Sequence, residues 1–275
     1  MVKIAKITTQ KNNIGRYNIF LDDGKGEKFG FGLDEDLLIR SGIAKGKEMS
    51  EEALQSLVEK DAAHKCFTLA LQYLSYRMRS KKEIKTYLLK KEQHPDHVEE
   101  ALRRLEEQGY TDDAAFAAAF VRTKVNTTSK GPLVIRKELQ EKGITGKIAD
   151  DAMTFYSFER ELEKAVKLAN TKLQSKSKKS QQEKRQLAQQ QLLTKGFTSS
   201  AAKEAVSQAL SEAEPDVDAE LDAVRYQGDK LVRKYVQKAE GYELVQKIKM
   251  GLYRKGFSMD LIQKYLDEAK EQDLY

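Results

Sequence analysis

The sequence predicts a mainly α-helical protein of tandem three-helix repeats, solenoid-like, preceded by a small N-terminal antiparallel β-meander. Three observations predict it. The phrase Leu-x-x-Lys-Gly-(Ile/Phe)-(Thr/Ser) occurs at Leu139–Thr145, Leu192–Thr198 and Leu252–Ser258. Its copies are regularly spaced: Gly143 and Gly196 lie 53 residues apart, Gly196 and Gly256 60. The first forty residues, by contrast, are rich in β-formers and turn signals. Fixed-period self-similarity marks a repeat protein, and a two-helix repeat takes about 34 to 47 residues, so a longer unit has room for a third helix.

Each piece of the phrase has a mechanical job. Glycine takes the left-handed conformation that ends a helix at C′, and Ile or Phe after it folds back onto the Leu at C3. The Lys before the glycine sits on the negative end of the helix dipole. The following Thr or Ser is the N-cap of the next helix. Counting back from Gly143, the expected slot falls near residue 92. There Leu88-Leu89-Lys90-Lys91-Glu92 precedes His94-Pro95, the same unit with its glycine replaced.

In chain order, Lys3–Thr8 and Arg16–Leu21 read as strands, Asp22-Asp-Gly-Lys-Gly-Glu as a turn, and Lys28–Leu33 as a third short strand. Such a meander is marginal alone and should lean on the first helices. Ser50-Glu-Glu-Ala opens one helix, and Ala62–Arg77 is another, with Phe67, Leu71 and Leu74 on its apolar side. Ser80-Lys-Lys-Glu83 is a capping box for Ile84–Lys91. Gln108-Gly109-Tyr110 repeats the stop, and a helix then runs from Asp112 to about Val125. Ile135–Lys142, Ile148–Phe158 and Glu159–Leu173 follow, then Arg185–Lys195, Ser200–Ala213 and Asp218–Lys238, and finally Glu243–Lys255 and Met259–Asp273. The boundaries so drawn are a β-rich segment over 1–48, a first repeat with its leading helices over 50–128, a second over 129–175, a third over 181–240, and a truncated fourth over 241–275.

Composition narrows the function classes. Charged residues make up 33% of the 275 positions, against about 25% in an ordinary domain, so the core must be thin. Pro95, Pro132 and Pro215 lie between helical stretches. The single Cys66 excludes an internal disulfide, reads as cytosolic usage, and sits in an apolar helical run as a buried hydrophobe. No signal peptide or membrane span is legible, which points to the cytoplasm.

Candidate chemistry mostly fails on inspection. Gly42-Ile-Ala-Lys-Gly46-Lys47 has one residue too few for a phosphate-binding loop, and Glu48 replaces the hydroxyl that would hold a metal. His94 and His97 bring no further metal-ligand cluster, and a solvated helix start is the better reading. Asp112-Asp113 suits a helix start, and Asp150-Asp151 reads as a solvated face. Neither an enzyme nor a cofactor or metal site is predicted.

Charge is patched instead. The net charge is +6, but Arg77–Lys91 holds seven bases against Glu83, Lys172–Arg185 six against Glu183, and Glu212–Asp222 six acids and no base. Around the first patch, Tyr73, Tyr76, Arg77, Arg79, Lys81, Lys82 and Lys85 pack two aromatics and several bases at a helix junction. Arg and Lys can meet phosphates or carboxylates, and Tyr can stack on bases or anchor an interface. The plainer alternative is that Tyr73 is core and the bases are a solvated face.

Three blocks decide between these. Tyr73-Leu-Ser-Tyr-Arg-Met-Arg-Ser-Lys-Lys-Glu-Ile84, Gly109-Tyr-Thr-Asp-Asp-Ala-Ala-Phe-Ala-Ala-Ala-Phe-Val121 and Lys130-Gly131-x5-Lys137-Glu-Leu139-x-x-Lys142-Gly-Ile144 strongly resemble, in order and spacing, the RecX family of bacterial proteins that modulate the RecA recombinase. The resemblance covers about 64–155 well and 160–275 more loosely as continued repeats. The β-like first forty residues fall outside the family's basic pattern, so the chain looks like a long form. The resemblance implies an elongated, curved array of three-helix repeats. It implies a non-enzymatic regulator, monomeric, that lies in the groove of the RecA–single-stranded DNA filament. There it would inhibit ATP hydrolysis, strand exchange and co-protease function in recombination, DNA repair and the SOS response. Charge and motif position together pick out as site residues the seven named above with Arg122, Lys124, Lys130, Arg136 and Lys137. Two other readings stay open: an independent DNA-binding protein with helix-turn-helix-like repeats, and a plain helical scaffold.

Overall fold

The structure, a computed structural model, describes residues 1–11, 13–175, 177–212 and 217–271. The helix ends expected at Ala213 and Asp273 and the break at Pro215 lie outside these residues. The described chain divides into two compact units, one of Met1–Phe116 with Lys142–Ile144, the other of Ala117–Glu141 with Thr145–Tyr275.

In the first unit, β1 (Val2–Gln10), β2 (Asn13–Asp22) and β3 (Glu27–Asp34) form the expected antiparallel meander. The Asp22 carboxylate accepts the Gly24 N–H at 2.9 Å and closes the second turn. A two-residue strand, β4 (Glu48–Met49), pairs with the other edge of β1, giving the order β3-β2-β1-β4. Neither β4 nor the short α1 (Glu35–Arg40) was legible, since both are shorter than one period of a hydrophobic pattern. Ile4, Ile19 and Leu33 line the inner face and pack with Ile43, Leu54 and Leu57, so the sheet leans on the first long helix.

That helix, α2, runs unbroken over Glu51–Leu74, where the sequence reading starts helices at Ser50 and again at Ala62. Asp61, which interrupts the apolar pattern, faces inward instead. It pairs with the Arg16 guanidinium at 2.5 Å and accepts the Asp34 N–H at 2.9 Å, fixing the sheet on α2. Beyond it lie α3 (Lys81–Lys90), α4 (Pro95–Glu107) and the start of α5 (Asp113–Thr127). Cys66, Phe67 and Ala70 of α2, Ile84 and Leu88 of α3, and Val98, Leu102 and Leu105 of α4 share one core.

The second unit continues with α6 (Pro132–Glu141), α7 (Gly146–Met153), α8 (Phe158–Leu173), α9 (Gln181–Thr194), α10 (Ser199–Ser211), α11 (Val217–Tyr235), α12 (Gly241–Arg254) and α13 (Met259–Glu271). Helices α8, α9 and α10 pack around Ala165, Leu192, Phe197 and Ala205. Helices α11, α12 and α13 pack around Val224, Ile248, Phe257 and Leu266. The cores thus group helices one step earlier than the boundaries drawn from the stop phrase. The long α11 packs with the pair that follows it, and the last group contains three helices.

The stops form as their chemistry dictates. Gly109, Gly143, Gly196 and Gly256 have φ of 71°, 85°, 84° and 82°. The Tyr110, Phe197 and Phe257 N–H groups reach back to the carbonyls of Leu105, Leu192 and Leu252. Glu92 stands in the left-handed position of its own stop, with φ 57°, and the Gln93 N–H bonds the Leu88 carbonyl. The expected caps hold at Thr198 and Ser258, which accept the N–H groups of Ala201 and Leu261. Thr145 makes no such bond: Gly146 beside it turns left-handed, with φ 57°, and carries the helix start past the hydroxyl.

Candidate partner interface

The residues expected to meet a partner fall in both units. In the first, α2 ends at Leu74 and α3 starts from Ser80, whose hydroxyl accepts the Glu83 N–H while the Glu83 carboxylate accepts the Ser80 N–H. This capping box pins the segment between the helices. Arg79 lies over the Tyr73 ring at 4.0 Å, and Tyr73 stacks on Tyr87 with centroids 4.0 Å apart and rings within 4° of parallel. Tyr73 and Arg79 are half-buried, and the Arg79 Nε has no hydrogen-bond partner among the described residues. Tyr76, by contrast, is 84% exposed.

Three of the run's seven bases are held by this chain's own carboxylates. Arg77 pairs with Glu83 at 2.9 Å, Lys81 with Glu106 at 2.5 Å, and Lys85 with Glu99. Glu83 also receives the Lys142 ammonium at 2.7 Å. Burial pushes the Glu83 carboxyl up, but hydrogen bonds from Arg77, Lys142 and the Ser80 N–H outweigh it and hold the group at about 2. Lys82 is exposed at its charged end while its stem lies against Gly143.

In the second unit, Lys124 reaches Glu138 at 3.1 Å and Lys130 meets the same carboxylate. Burial raises the Glu138 carboxyl and the two ammonium groups lower it further than that, leaving it below its ordinary value. Arg136 pairs with Asp150, and Arg122 lies 5.5 Å from the Phe155 ring centroid. Lys137 is exposed. The Tyr156 hydroxyl donates to the Lys130 carbonyl at 3.0 Å, and burial pushes its pKa up to about 12.

The discarded sites settle into structural roles. The Lys47 ammonium donates to the Ser41 and Gly42 carbonyls at the end of α1, so the glycine-flanked loop is a helix stop. His94 caps α4, Asp112 caps α5 through the N–H groups of Ala114 and Ala115, and Cys66 is buried with its thiol pushed up to about 11 by that burial.

Sequence reasoning missed a repeated junction. The Ser80 hydroxyl, besides capping α3, donates to the Lys142 carbonyl at 2.7 Å. The Gly131 N–H donates to the Lys195 carbonyl at 2.8 Å, and the Ser180 hydroxyl, which caps α9, donates to the Lys255 carbonyl. Each time the start of one repeat's second helix holds the carbonyl just before the next repeat's stop glycine. The capping serines were visible; their second hydrogen bond spans 62 and 75 residues and leaves no local signal.

Fold and site together define a tandem three-helix-repeat protein that offers charged and aromatic surface. Four family models match: "Regulatory protein RecX N-terminal domain" over residues 2–50, and the first, second and third three-helix domains of RecX over 66–105, 112–153 and 218–266. The regulatory protein RecX of Oceanobacillus iheyensis is 43% identical, across 99% of this chain and 100% of its own. That of Bacillus subtilis is 42% identical, across 97% and 98%. A crystal structure of a regulatory protein RecX aligns at 37% identity with a TM-score of 0.63, covering 76% of this chain and 100% of its own. A RecX structure from Lactobacillus salivarius aligns at 34% and 0.53, covering 55% and 99%. The chain belongs to the RecX family of regulatory proteins. One expectation is corrected: the β-rich start lies inside the family pattern, since a RecX domain model matches it and the relatives span it. Helices α8–α10 lie between the stretches matched as second and third three-helix domains.

Proposed function

We propose that this chain binds the RecA–single-stranded DNA filament and inhibits RecA's ATP hydrolysis, strand exchange and co-protease function. It thereby acts in recombination, DNA repair and the SOS response, as a cytoplasmic, non-catalytic monomer. Family membership over nearly the whole length carries this reading. The chemistry suits it: a regulator shifts a filament equilibrium by preferring one state, and repeated weak contacts add up through effective concentration.

Of the twelve candidate contacts, four are exposed with no internal ion pair among the described residues; Arg122 lies against the Phe155 ring, which leaves Tyr76, Lys82 and Lys137. These three are assigned the direct contacts. Arg77, Lys81, Lys85, Lys124, Lys130 and Arg136 contribute through paired charge and by shaping the surface. The test is binding of fluorescently labelled protein to filaments assembled with a non-hydrolysable ATP analogue. Combining Tyr76→Ala, Lys82→Glu and Lys137→Glu should weaken binding about tenfold while the fold persists, since exposed charges contribute under about 1 kcal/mol each. Unchanged binding removes these residues from the interface.

A second reading, direct DNA binding, is favoured by the basic start of α9, where Lys178 and Arg185 are exposed. On that reading affinity for naked single strands falls steeply with salt, by about 0.7 in the log–log slope per phosphate neutralised.

A further inference from the structure

The repeated junction has a steric rule as well as a hydrogen bond. A Cβ on Gly143 would lie 2.8 Å from Lys82 Cβ, one on Gly196 2.5 Å from Val134 Cγ2, and one on Gly256 2.8 Å from Gln182 Cβ. Glycine is therefore required three times over for close approach, independently of its left-handed φ. Whatever bears a side chain at the stop cannot seat on the start of another repeat's second helix.

Two halves of this device are left over. At one end, α12 starts from Glu240-Gly241-Tyr242 with no side-chain cap, and Tyr242 is 80% exposed. Tyr242 stands two residues after the helix-starting residue, the place that Lys82 and Gln182 occupy where stop glycines pack on them. At the other end, the turn after α3 carries Lys91-Glu92 where the internal stops carry Lys-Gly. Glu92 is exposed and left-handed, the one non-glycine residue with positive φ among the described residues. A Cβ strains that backbone, and glycine there would relieve it. Among the described residues no stop seats on the start of α12 and the turn after α3 seats on no helix start, so the two are complementary, and such heterologous contacts propagate into open chains.

We propose that Glu92 is an end stop: it prevents the turn after α3 of one molecule from docking on the start of α12 of a second copy. Its Cβ occupies the space that every internal junction leaves empty. Its carboxylate would also face Glu240 and Glu243 at the start of α12. Terminal repeats of a solenoid need such protection for solubility, and here one residue supplies it.

The test is sedimentation velocity on the full chain over a wide concentration range. Glu92→Gly folds, because the site is exposed and its φ favours glycine, and is expected to sediment as a concentration-dependent series of larger species. Wild type and Glu92→Ala, which keeps the Cβ and loses only the charge, are expected to stay at one monomeric value. A monomeric Glu92→Gly with native circular dichroism overturns the proposal. So does self-association of the wild type, and association of Glu92→Ala equal to that of Glu92→Gly would overturn the steric account.

Discussion

At the residue scale, Ser80 and Glu83 carry more than a helix cap. The Ser80 hydroxyl is fully buried, accepts from the Glu83 N–H and donates to the Lys142 carbonyl. Ser80→Ala is expected to lose about 1–3 kcal/mol of stability by denaturant unfolding, combining a lost N-cap with a part-buried carbonyl left without its partner. Ser80→Asp keeps the cap acceptor but has no proton for Lys142, so it should recover only part of that loss. Recovery to wild type would mean that the bond to Lys142 is irrelevant. Glu83 is depressed from 4.5 to about 2, so it binds its proton more readily in the unfolded chain. Its stabilisation is present above pH 4.5 and drains away as pH falls toward 2. Glu83→Gln should therefore flatten the acid limb of a stability–pH curve in that window and lower stability at neutral pH. This part of the protein was half legible. The capping box reads directly from Ser80-Lys-Lys-Glu83 because its bonds are three residues apart. The partners of the basic run do not, because Lys85 and Lys81 find Glu99 and Glu106 on α4, 14 and 25 residues away.

At the element scale, the stop glycines separate into two kinds, and the residue before them differs too: Lys at Gly143, Gly196 and Gly256, Gln at Gly109. Gly109 and Gly196 have similar φ, yet a Cβ on Gly109 meets nothing within 4 Å, whereas one on Gly196 meets Val134 at its side chain and backbone nitrogen. Gly109→Ala should cost about 1–2 kcal/mol, the left-handed penalty alone. Gly196→Ala should add about 1–3 kcal/mol of overpacking to that. Equal losses in urea denaturation would show that the junction is not tightly packed. The stop phrase itself was legible because every bond in it is local. The continuity of α2 was not, because Asp61 looks like a break until Arg16, 45 residues earlier, is brought against it.

At the scale of the whole molecule, the helical repeats and the β-rich start were legible from periodicity and composition, and the grouping of helices was not. The phrase marks the turn between the second and third helix of each group, while the long helix that completes a group lies on the near side of it. Only the packing of Val224 and Leu231 of α11 with Ile248 of α12 and Leu266 of α13 shows which neighbour it serves. The functional claim also belongs to this scale, because no single pocket carries it. The most direct test is ATP hydrolysis by RecA on single-stranded DNA at near-physiological salt, titrated with this protein, beside its binding to the same DNA without RecA. Inhibition at concentrations well below those that cover the naked DNA is the predicted result and identifies the filament as the target. Inhibition only where the DNA is already covered would contradict it and leave competition for DNA as the mechanism.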